Sequence, residues 1–126
     1  MSTSKHEEIC LRPWGNYLVI YEDEKCKVKR IIVDPGQQLS LQSHEYRDEL
    51  WKLISGQWEI ALQYYPYRDN PLRYYDYAYN AYIPRKAKHR IRNTGKEPLV
   101  IIGIQTGLSF DENDIIRYAD DYGRLS

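Results

Sequence analysis

The stretch GQQLSLQSHEYRDELWKLISG, residues 36–56, decides the fold of this chain of 126 residues. It contains two predicted strands separated by a turn and flanked by glycine. Gln42 and His44 are two residues apart on the first strand, so their side chains share one face. Glu49 is an odd number of residues from His44, and a turn at Tyr46–Asp48 is therefore needed to point Glu49 into the same interior.

The fourth predicted ligand, a second imidazole, lies farther along the chain. His89 begins another predicted strand, with Pro84 before it and Asn93 after it. An amide oxygen, two imidazoles and a carboxylate together form a ligand set for a divalent transition metal. Each residue alone is more simply explained as structural. At these spacings the four predict one metal site, with zinc as the first choice and iron, manganese, cobalt or nickel as alternatives; its ligands are Gln42, His44, Glu49 and His89.

Short β-rich runs separated by turn signals extend in both directions from this stretch. They predict one closed or nearly closed β-barrel with Ile31, Val33, Trp51, Leu53, Ile60, Ile91 and Ile102 inside. A short acidic piece over Asp111–Tyr118 is predicted to be helical, because acidic residues suit a helix N-terminus. The predicted strands are Tyr17–Tyr21, Cys26–Val33, Leu39–His44, Glu49–Ser55, Gln57–Tyr64, Tyr74–Tyr82, His89–Asn93 and Leu99–Thr106.

Composition excludes several classes of protein. The chain has 18 basic and 18 acidic residues, so no net charge draws it to nucleic acid or to an anionic membrane. It has no apolar run long enough to span a bilayer, and residues 1–8 lack the apolar core of a secretory signal. Its two cysteines are predicted to be reduced packing residues. We expect a cytoplasmic protein with a flexible arm over residues 1–10 and a single domain over residues 11–126.

The spacing of the four predicted ligands resembles the two cupin motifs, G-x5-H-x-H-x4-E-x6-G and G-x5-P-x-G-x2-H-x3-N, with Gln42 in the place of the first histidine. The resemblance implies an all-β cupin fold, a jelly-roll-like double-stranded β-helix. More narrowly, the chain is similar to the cupin domain of type II mannose-6-phosphate isomerases, which often accompanies a mannose-1-phosphate guanylyltransferase. The segments that carry this similarity include Arg12–Tyr17, Lys27–Ile31, Tyr82–Pro84, Gln105–Gly107 and Asp121–Arg124.

The chain also departs from the family pattern. Tyr46 and Leu50 replace two family histidines, and Tyr46 is expected to line the pocket in a position that the family uses for proton transfer. Lys86 replaces a glycine of the second motif, and Gly103 stands where the family usually has glutamate. The hairpin 64–76 is longer than usual and rich in tyrosine. These departures bear on catalysis more than on fold or metal binding.

The resemblance implies a metal-dependent isomerase of the mannose-6-phosphate/fructose-6-phosphate type, which serves activated-sugar or polysaccharide biosynthesis. A sugar epimerase, a nucleotide-sugar isomerase and a non-catalytic sugar-binding cupin are the alternatives. The metal would act as the electrophile, and Arg47, Arg90, Lys29 or Arg30 would bind the phosphate. Tyr46, Glu45, Asp48 or a lysine of lowered pKa would move the proton. Aromatic edge strands in the stretch 64–82 predict a homodimer.

Overall fold

The structure, a computed structural model, describes residues 8–76 and 79–124. Within these ranges the chain forms eleven strands and a single 3-10 turn at Tyr67–Asp69. The strands are β1 (Ile9–Arg12), β2 (Gly15–Glu22), β3 (Cys26–Val33), β4 (Leu41–Ser43), β5 (Arg47–Ser55), β6 (Trp58–Gln63), β7 (Arg73–Tyr75), β8 (Asn80–Ile83), β9 (Lys88–Asn93), β10 (Leu99–Gly107) and β11 (Ile116–Ala119).

The described strands make two antiparallel sheets that enclose a common core. One sheet has the order β1-β2-β3-β10-β5-β8 and the other has the order β11-β4-β9-β6-β7. Their inner faces contribute fully buried side chains such as Trp51, Trp58, Ile60, Ile91 and Ile101. The fold is therefore all-β, as the sequence predicts, and its core is filled mainly by β-branched and aromatic residues, which suit strands.

The inner face of β3 changes character along the strand. Alternate residues are buried, as expected for a strand with one face inside. The buried face carries Ile31 and Val33 at one end and Lys27 and Lys29 at the other. The barrel is thus apolar at one end of β3 and charged at the other.

The neighbouring strands continue this charged end. Gln105 on β10 is paired with both Lys27 on β3 and Glu49 on β5, so these three residues form one row across the sheet. The next row joins Lys29 to Trp51 through Gly103. A Cβ at residue 103 would lie 3.0 Å from Glu49 Oε2, so the glycine leaves room for that carboxylate.

Several sequence-based expectations need correction. The predicted helix over Asp111–Tyr118 is wrong: Asp111 closes a turn by accepting from the Asn113 amide, and Arg117 on β11 pairs with Gln42 on β4. Tertiary pairing overrides the local acidic signal here. Ile102 is half-buried and its neighbour Ile101 faces the core instead.

Two predicted boundaries also differ from the structure. The predicted strand Tyr74–Tyr82 is divided into β7 and β8, which lie in different sheets, and residues 77 and 78 fall outside the described ranges. Ile9 and Cys10, assigned to the arm, pair with Leu18 and Tyr17; residues 1–7 of the arm lie outside the described residues. In those ranges no helix has the length and apolar character needed to cross a bilayer.

Candidate metal centre and its cavity

Three of the four predicted ligands form one buried group inside the barrel, and the fourth, Gln42, lines the cavity beside it. Gln42 on β4 is paired directly with His89 on β9, and His44 follows one residue after β4 ends. A bend at residues 45 and 46 precedes β5 and brings Glu49 to the same side. The bend begins one residue before the predicted turn Tyr46–Asp48, because Arg47 and Asp48 already belong to β5. Ligand atoms of His44, Glu49 and His89 all lie within 4.8 Å of one another. Three of the four donors thus form a compact buried group.

Hydrogen bonds fix the orientation of both imidazoles. His44 Nδ1 lies 2.7 Å from the Asp114 carbonyl oxygen, and His89 Nδ1 lies 3.0 Å from the Ala87 carbonyl oxygen. A carbonyl oxygen only accepts, so each Nδ1 carries the proton and donates. The lone pair is then on Nε2, which is the arrangement that metal-binding histidines use.

His89 Nε2 provides an independent test of metal binding. It is buried and has no hydrogen-bond partner among the described residues. An unsatisfied buried acceptor of this kind is costly, so something outside the polypeptide is expected to contact it. Gln42 adds an amide oxygen at the cavity, where its Oε1 accepts a hydrogen bond of 2.8 Å from the Ser40 hydroxyl. The residues present fit a divalent transition metal.

Both imidazoles are held in the neutral form that binds metals. Burial, followed by electrostatic repulsion from a protonated His89 and from Arg47, would oppose a charge on His44 and lowers its pKa to about 2. Burial also lowers the pKa of His89, although the Glu49 carboxylate acts in the opposite direction. A metal therefore displaces no proton from either ring at neutral pH.

A cavity of about 120 Å³ opens beside the predicted ligands and is rich in positive charge. Among the described residues that line it, two acidic side chains, Glu49 and Glu112, stand against five basic ones. The basic side chains are Arg12, Lys29, Arg47, Arg117 and Arg124. In a chain whose formal net charge is zero, this concentration of positive charge favours an anionic ligand.

The structure brings two of the predicted anion-binding residues to this cavity. Arg47 is only 4% exposed, and its Nη1 donates to the Asp111 carbonyl oxygen at 2.8 Å. Its Nε is buried without a hydrogen-bond partner in the described ranges. Lys29 is buried beside Glu112, with 3.0 Å between Nζ and Oε2. Arg47 and Lys29 therefore remain candidates for binding a phosphate.

Other predicted site residues lie elsewhere. Tyr46, expected to line the pocket, is 53% exposed and is not part of the cavity wall, because the bend before β5 turns its side chain outward. Arg90 donates through Nε to the Leu39 carbonyl and through Nη2 to the Ala119 carbonyl. Its guanidinium therefore links the segment before β4 to the end of β11. Arg30 is on the opposite face of β3 from Lys29. The structure does not bring these three to the site.

Six polar cavity residues were missed as site residues in the sequence: Arg12, Tyr17, Gln105, Glu112, Arg117 and Arg124. Gln105 and Tyr17 fall within segments that carry the family resemblance, but nothing in the spacing assigns them a role. The sequence placed Glu112 only in the acidic first turn of the predicted helix over Asp111–Tyr118. Lys27, which contacts Glu112, could have been found, because it is two residues from Lys29 on a predicted strand.

Two antiparallel sheets around an interior His/His/Glu group define a cupin. Solved structures support this fold: the capsular polysaccharide assembling protein CapF from Staphylococcus aureus matches with a TM-score of 0.77 at 20% identity, over 89% of this chain and 31% of that one. Oxalate decarboxylase from Bacillus subtilis matches with a TM-score of 0.75 at 17% identity, over 90% of this chain and 30% of that one.

The chain belongs to the mannose-6-phosphate isomerase C-terminal family, which matches residues 1–120. It is similar to a mannose-1-phosphate guanylyltransferase of Escherichia coli, at 37% identity over 95% of this chain and 24% of the relative. It is also similar to the alginate biosynthesis protein AlgA of Pseudomonas putida, at 40% identity over 98% of this chain and 24% of that protein. The chain therefore spans about a quarter of the length of these relatives.

Proposed function

We propose that this chain is a metal-dependent sugar-phosphate isomerase domain, of the mannose-6-phosphate/fructose-6-phosphate type, that serves activated-sugar or polysaccharide biosynthesis. The observation that carries the proposal is the buried group of His44, Glu49 and His89, with an unpartnered Nε2 among the described residues, beside a cationic cavity. Family membership supports the same reaction class.

The proposed chemistry divides between the bound metal and the chain. A metal held by Gln42, His44, Glu49 and His89 would supply an electrophile for the carbonyl and hydroxyl oxygens of the sugar. The cavity residues would bind and orient the anionic substrate so that its reacting carbons lie near the electrophile. Arg47 offers a buried guanidinium whose Nε is free to donate in the described structure.

Proton transfer between the two reacting carbons has a weaker structural basis. Tyr46 faces outward, and Asp48 is paired with Arg85, with 3.5 Å between Oδ2 and Arg85 Nε. Burial lowers the pKa of Lys29, but the Glu112 carboxylate holds Lys29 as an ammonium, which cannot accept a proton. We therefore expect binding to be better developed than turnover, because positioned acid–base groups contribute typically ~10²–10⁴-fold.

Because the binding groups are well developed and a positioned base is lacking among the predicted candidates, a second candidate is favoured: a non-catalytic cupin that binds a sugar phosphate. The binding groups are the same in the two candidates, so the difference lies in turnover alone. A sugar epimerase or nucleotide-sugar isomerase on the same scaffold remains an alternative for which the geometry gives no separate support.

Metal analysis combined with a coupled isomerase assay on mannose 6-phosphate and fructose 6-phosphate tests the proposal. We expect about one transition metal per chain and slow turnover in both directions that disappears in His89→Ala. Leu50→Ala, which changes an exposed side chain on β5, is the control and should behave as the unaltered protein. Metal-dependent binding without turnover would replace the isomerase with the non-catalytic binder. Neither binding nor turnover would reject both.

A further inference from the structure

Lys27 and Lys29 place two ammonium groups on the buried face of β3. Their side chains are 9% and 8% exposed. The carboxylate of Glu112 contacts both: Lys27 Nζ is 3.2 Å from Oε2, and Lys29 Nζ is 3.2 Å from Oε1 and 3.0 Å from Oε2. A single carboxylate thus bridges two nearly buried lysines.

Further donors surround the same carboxylate. The Tyr17 hydroxyl donates to Glu112 Oε1 at 3.4 Å, and Arg12 Nη2 donates to the Tyr17 hydroxyl at 3.2 Å. Burial, aided by the charge of Glu112, raises the pKa of Tyr17, so the hydroxyl stays protonated and able to donate. Lys27, Lys29 and Arg12 supply three positive charges here, against the carboxylate of Glu112 and that of Glu49, which also acts on Lys29. One positive charge is therefore left uncompensated beside the buried lysines.

Glu112 can leave this position without any change of the backbone. It lies on the segment 108–115 between β10 and β11, and that segment is held on both sides of Glu112. Asp111 accepts from Arg47 through its carbonyl, and Asp114 accepts from the amides of Glu45 and Tyr46. The Glu112 side chain is nevertheless 43% exposed. Rotation of this side chain into solvent is therefore the movement required.

The position of the lysines relative to the donor group suits a sugar phosphate. β10 lies between β3 and β5, so Lys29 and Glu49 originate on strands two spacings apart, about 10 Å. The Glu49 carboxylate reaches over β10, because its Oε2 lies 3.0 Å from the place of a Cβ at residue 103, so the gap between this carboxylate and the ammonium groups is shorter than the separation of the strands. A phosphorylated sugar, with its phosphate at the lysines and its reacting carbons beside Glu49, would span this gap.

We propose that Lys27, Lys29 and Tyr17 form a phosphoryl-binding subsite that the Glu112 carboxylate occupies in the ligand-free protein and that an incoming sugar phosphate takes over. This inference rests on the proposed function for the identity of the sugar, but not for the binding of the anion. Glu112 acts as a tethered competitor, so the apparent affinity for phosphate is lowered by the fraction of molecules in which Glu112 is in place.

Calorimetric titration with inorganic phosphate, at fixed ionic strength, tests the subsite. If Glu112 is in place about nine-tenths of the time, Glu112→Gln should lower the Kd for phosphate about tenfold. Glu112→Asp, whose carboxylate is one methylene shorter, should give an intermediate Kd. Adding Lys29→Met to Glu112→Gln should abolish the gain. Glu24→Gln removes the same charge from an exposed turn and should leave the Kd unchanged.

Thermal melting keeps the test valid if Glu112→Gln destabilises the fold. Phosphate should then raise its Tm more than it raises the Tm of the unaltered protein, because a ligand stabilises the state that it binds. An equal Kd and an equal rise in Tm for Glu112→Gln and the unaltered protein would overturn the subsite. So would an equal gain in Glu24→Gln, which would show a general charge effect.

Titrations with phosphorylated and unphosphorylated sugars distinguish this inference from the proposed function. Mannose 6-phosphate should gain affinity in Glu112→Gln, whereas unphosphorylated mannose should not. GDP-mannose in place of mannose 6-phosphate shows whether a nucleotide diphosphate uses the same subsite. If inorganic phosphate binds as expected but no sugar phosphate is isomerised, the subsite stands and the isomerase proposal fails. If mannose 6-phosphate is turned over and Glu112→Gln leaves every Kd unchanged, the subsite is wrong and the isomerase stands.

Discussion

Two backbone carbonyls determine what the buried imidazoles can do. Asp114 and Ala87 accept from the Nδ1 atoms of His44 and His89, so each ring presents Nε2 to the interior. These contacts join distant parts of the chain, because Asp114 follows β10 whereas His44 follows β4. The segment 108–115 therefore orients a predicted ligand as well as carrying Glu112.

The first prediction is that His89→Ala loses most of the bound metal. The protein as purified should hold about one transition metal per chain. Removal of the His89 imidazole takes away one of the protein ligands, so the remaining ligands should bind the metal less tightly. Elemental analysis after dialysis measures the ratio. Arg90→Ala, adjacent in sequence but outside the cavity, should retain the metal. Full metal content in His89→Ala would contradict the proposed ligand set.

The second prediction concerns the pH dependence of stability. The ammonium groups of Lys29 and Lys27 outweigh burial and lower the pKa of Glu112 from 4.5 to about 2. A depressed carboxyl pKa stabilises the fold above the unfolded value, and this stability is lost as pH falls through the folded value.

Urea unfolding of the unaltered protein and Glu112→Gln between pH 7 and pH 2 checks this expectation. The difference in unfolding free energy should be constant above about pH 4.5 and should shrink toward zero near pH 2. Glu24→Gln should show no such decline. A difference that does not change with pH would mean that the Glu112 carboxylate is not held by the two lysines.

At the scale of elements, β5 links the core to the donor group. Trp51 is 1% exposed and lies edge-on to His89, with ring centroids 5.4 Å apart. Glu49 is on the same face two residues earlier. Loss of packing in the middle of this strand is therefore expected to affect both the stability of the barrel and the position of the ligands.

The third prediction is that Trp51→Ala costs roughly 3–5 kcal/mol of unfolding free energy, as large-to-small substitutions in cores do. Denaturant unfolding measures it, preferably on metal-free protein so that packing and ligation are not combined. Leu50→Ala on the opposite face of β5 is 40% exposed and should cost about 0.5 kcal/mol or less. Equal costs for the two variants would mean that the strand register is wrong.

The sequence predicted elements well where the signals are local. Cys26–Val33 was predicted with both ends correct, because a strand pattern is followed by the turn residues Asp34, Pro35 and Gly36. The strand β11 was missed because its pairing with β4 joins residues that are far apart in sequence. Local acidic residues then gave the wrong signal over 111–118.

The difference between local and long-range contacts also explains which site residues could be predicted from the sequence. The spacing of Gln42, His44 and Glu49 reflects two consecutive strands, β4 and β5, that are joined by a short bend, so it could be read directly, and His89 followed from the second motif. Glu112 contacts Lys29 across 83 positions, and no pattern in a single sequence encodes that contact. Tyr46 was misplaced because a one-residue difference at the bend before β5 moves a side chain from one face to the other.

At the scale of the whole molecule, exposed tyrosines lie on or near one edge strand of each sheet. β7 and β8 are edge strands of different sheets, and Tyr74 and Tyr79 are 62% and 71% exposed. Edge strands with large aromatic side chains favour association with another chain. The predicted homodimer would use this surface, which we call the tyrosine edge, formed by Tyr64, Tyr65, Tyr74, Tyr79 and Tyr82.

The fourth prediction is that the protein is a dimer in solution and that the double variant Tyr74→Ser, Tyr79→Ser shifts it toward monomer. Multi-angle light scattering at several concentrations measures the mass. Tyr21→Ser removes an exposed tyrosine from β2, far from β7 and β8 in the order of strands, and should leave the dimer intact. A monomer for the unaltered protein at high concentration would reject the tyrosine edge as an interface.

The change in character along the inner face of β3 has a consequence for motion. Free energies of local opening depend on how much apolar contact is lost, so the two ends of one strand need not open together. We expect backbone amides from Ile31 to Val33 to exchange with deuterium only through near-global unfolding, whereas those from Cys26 to Lys29 exchange through smaller openings. Ligands could then enter and leave at the charged end through brief local fluctuations, while the apolar end keeps the barrel closed for the lifetime of the fold.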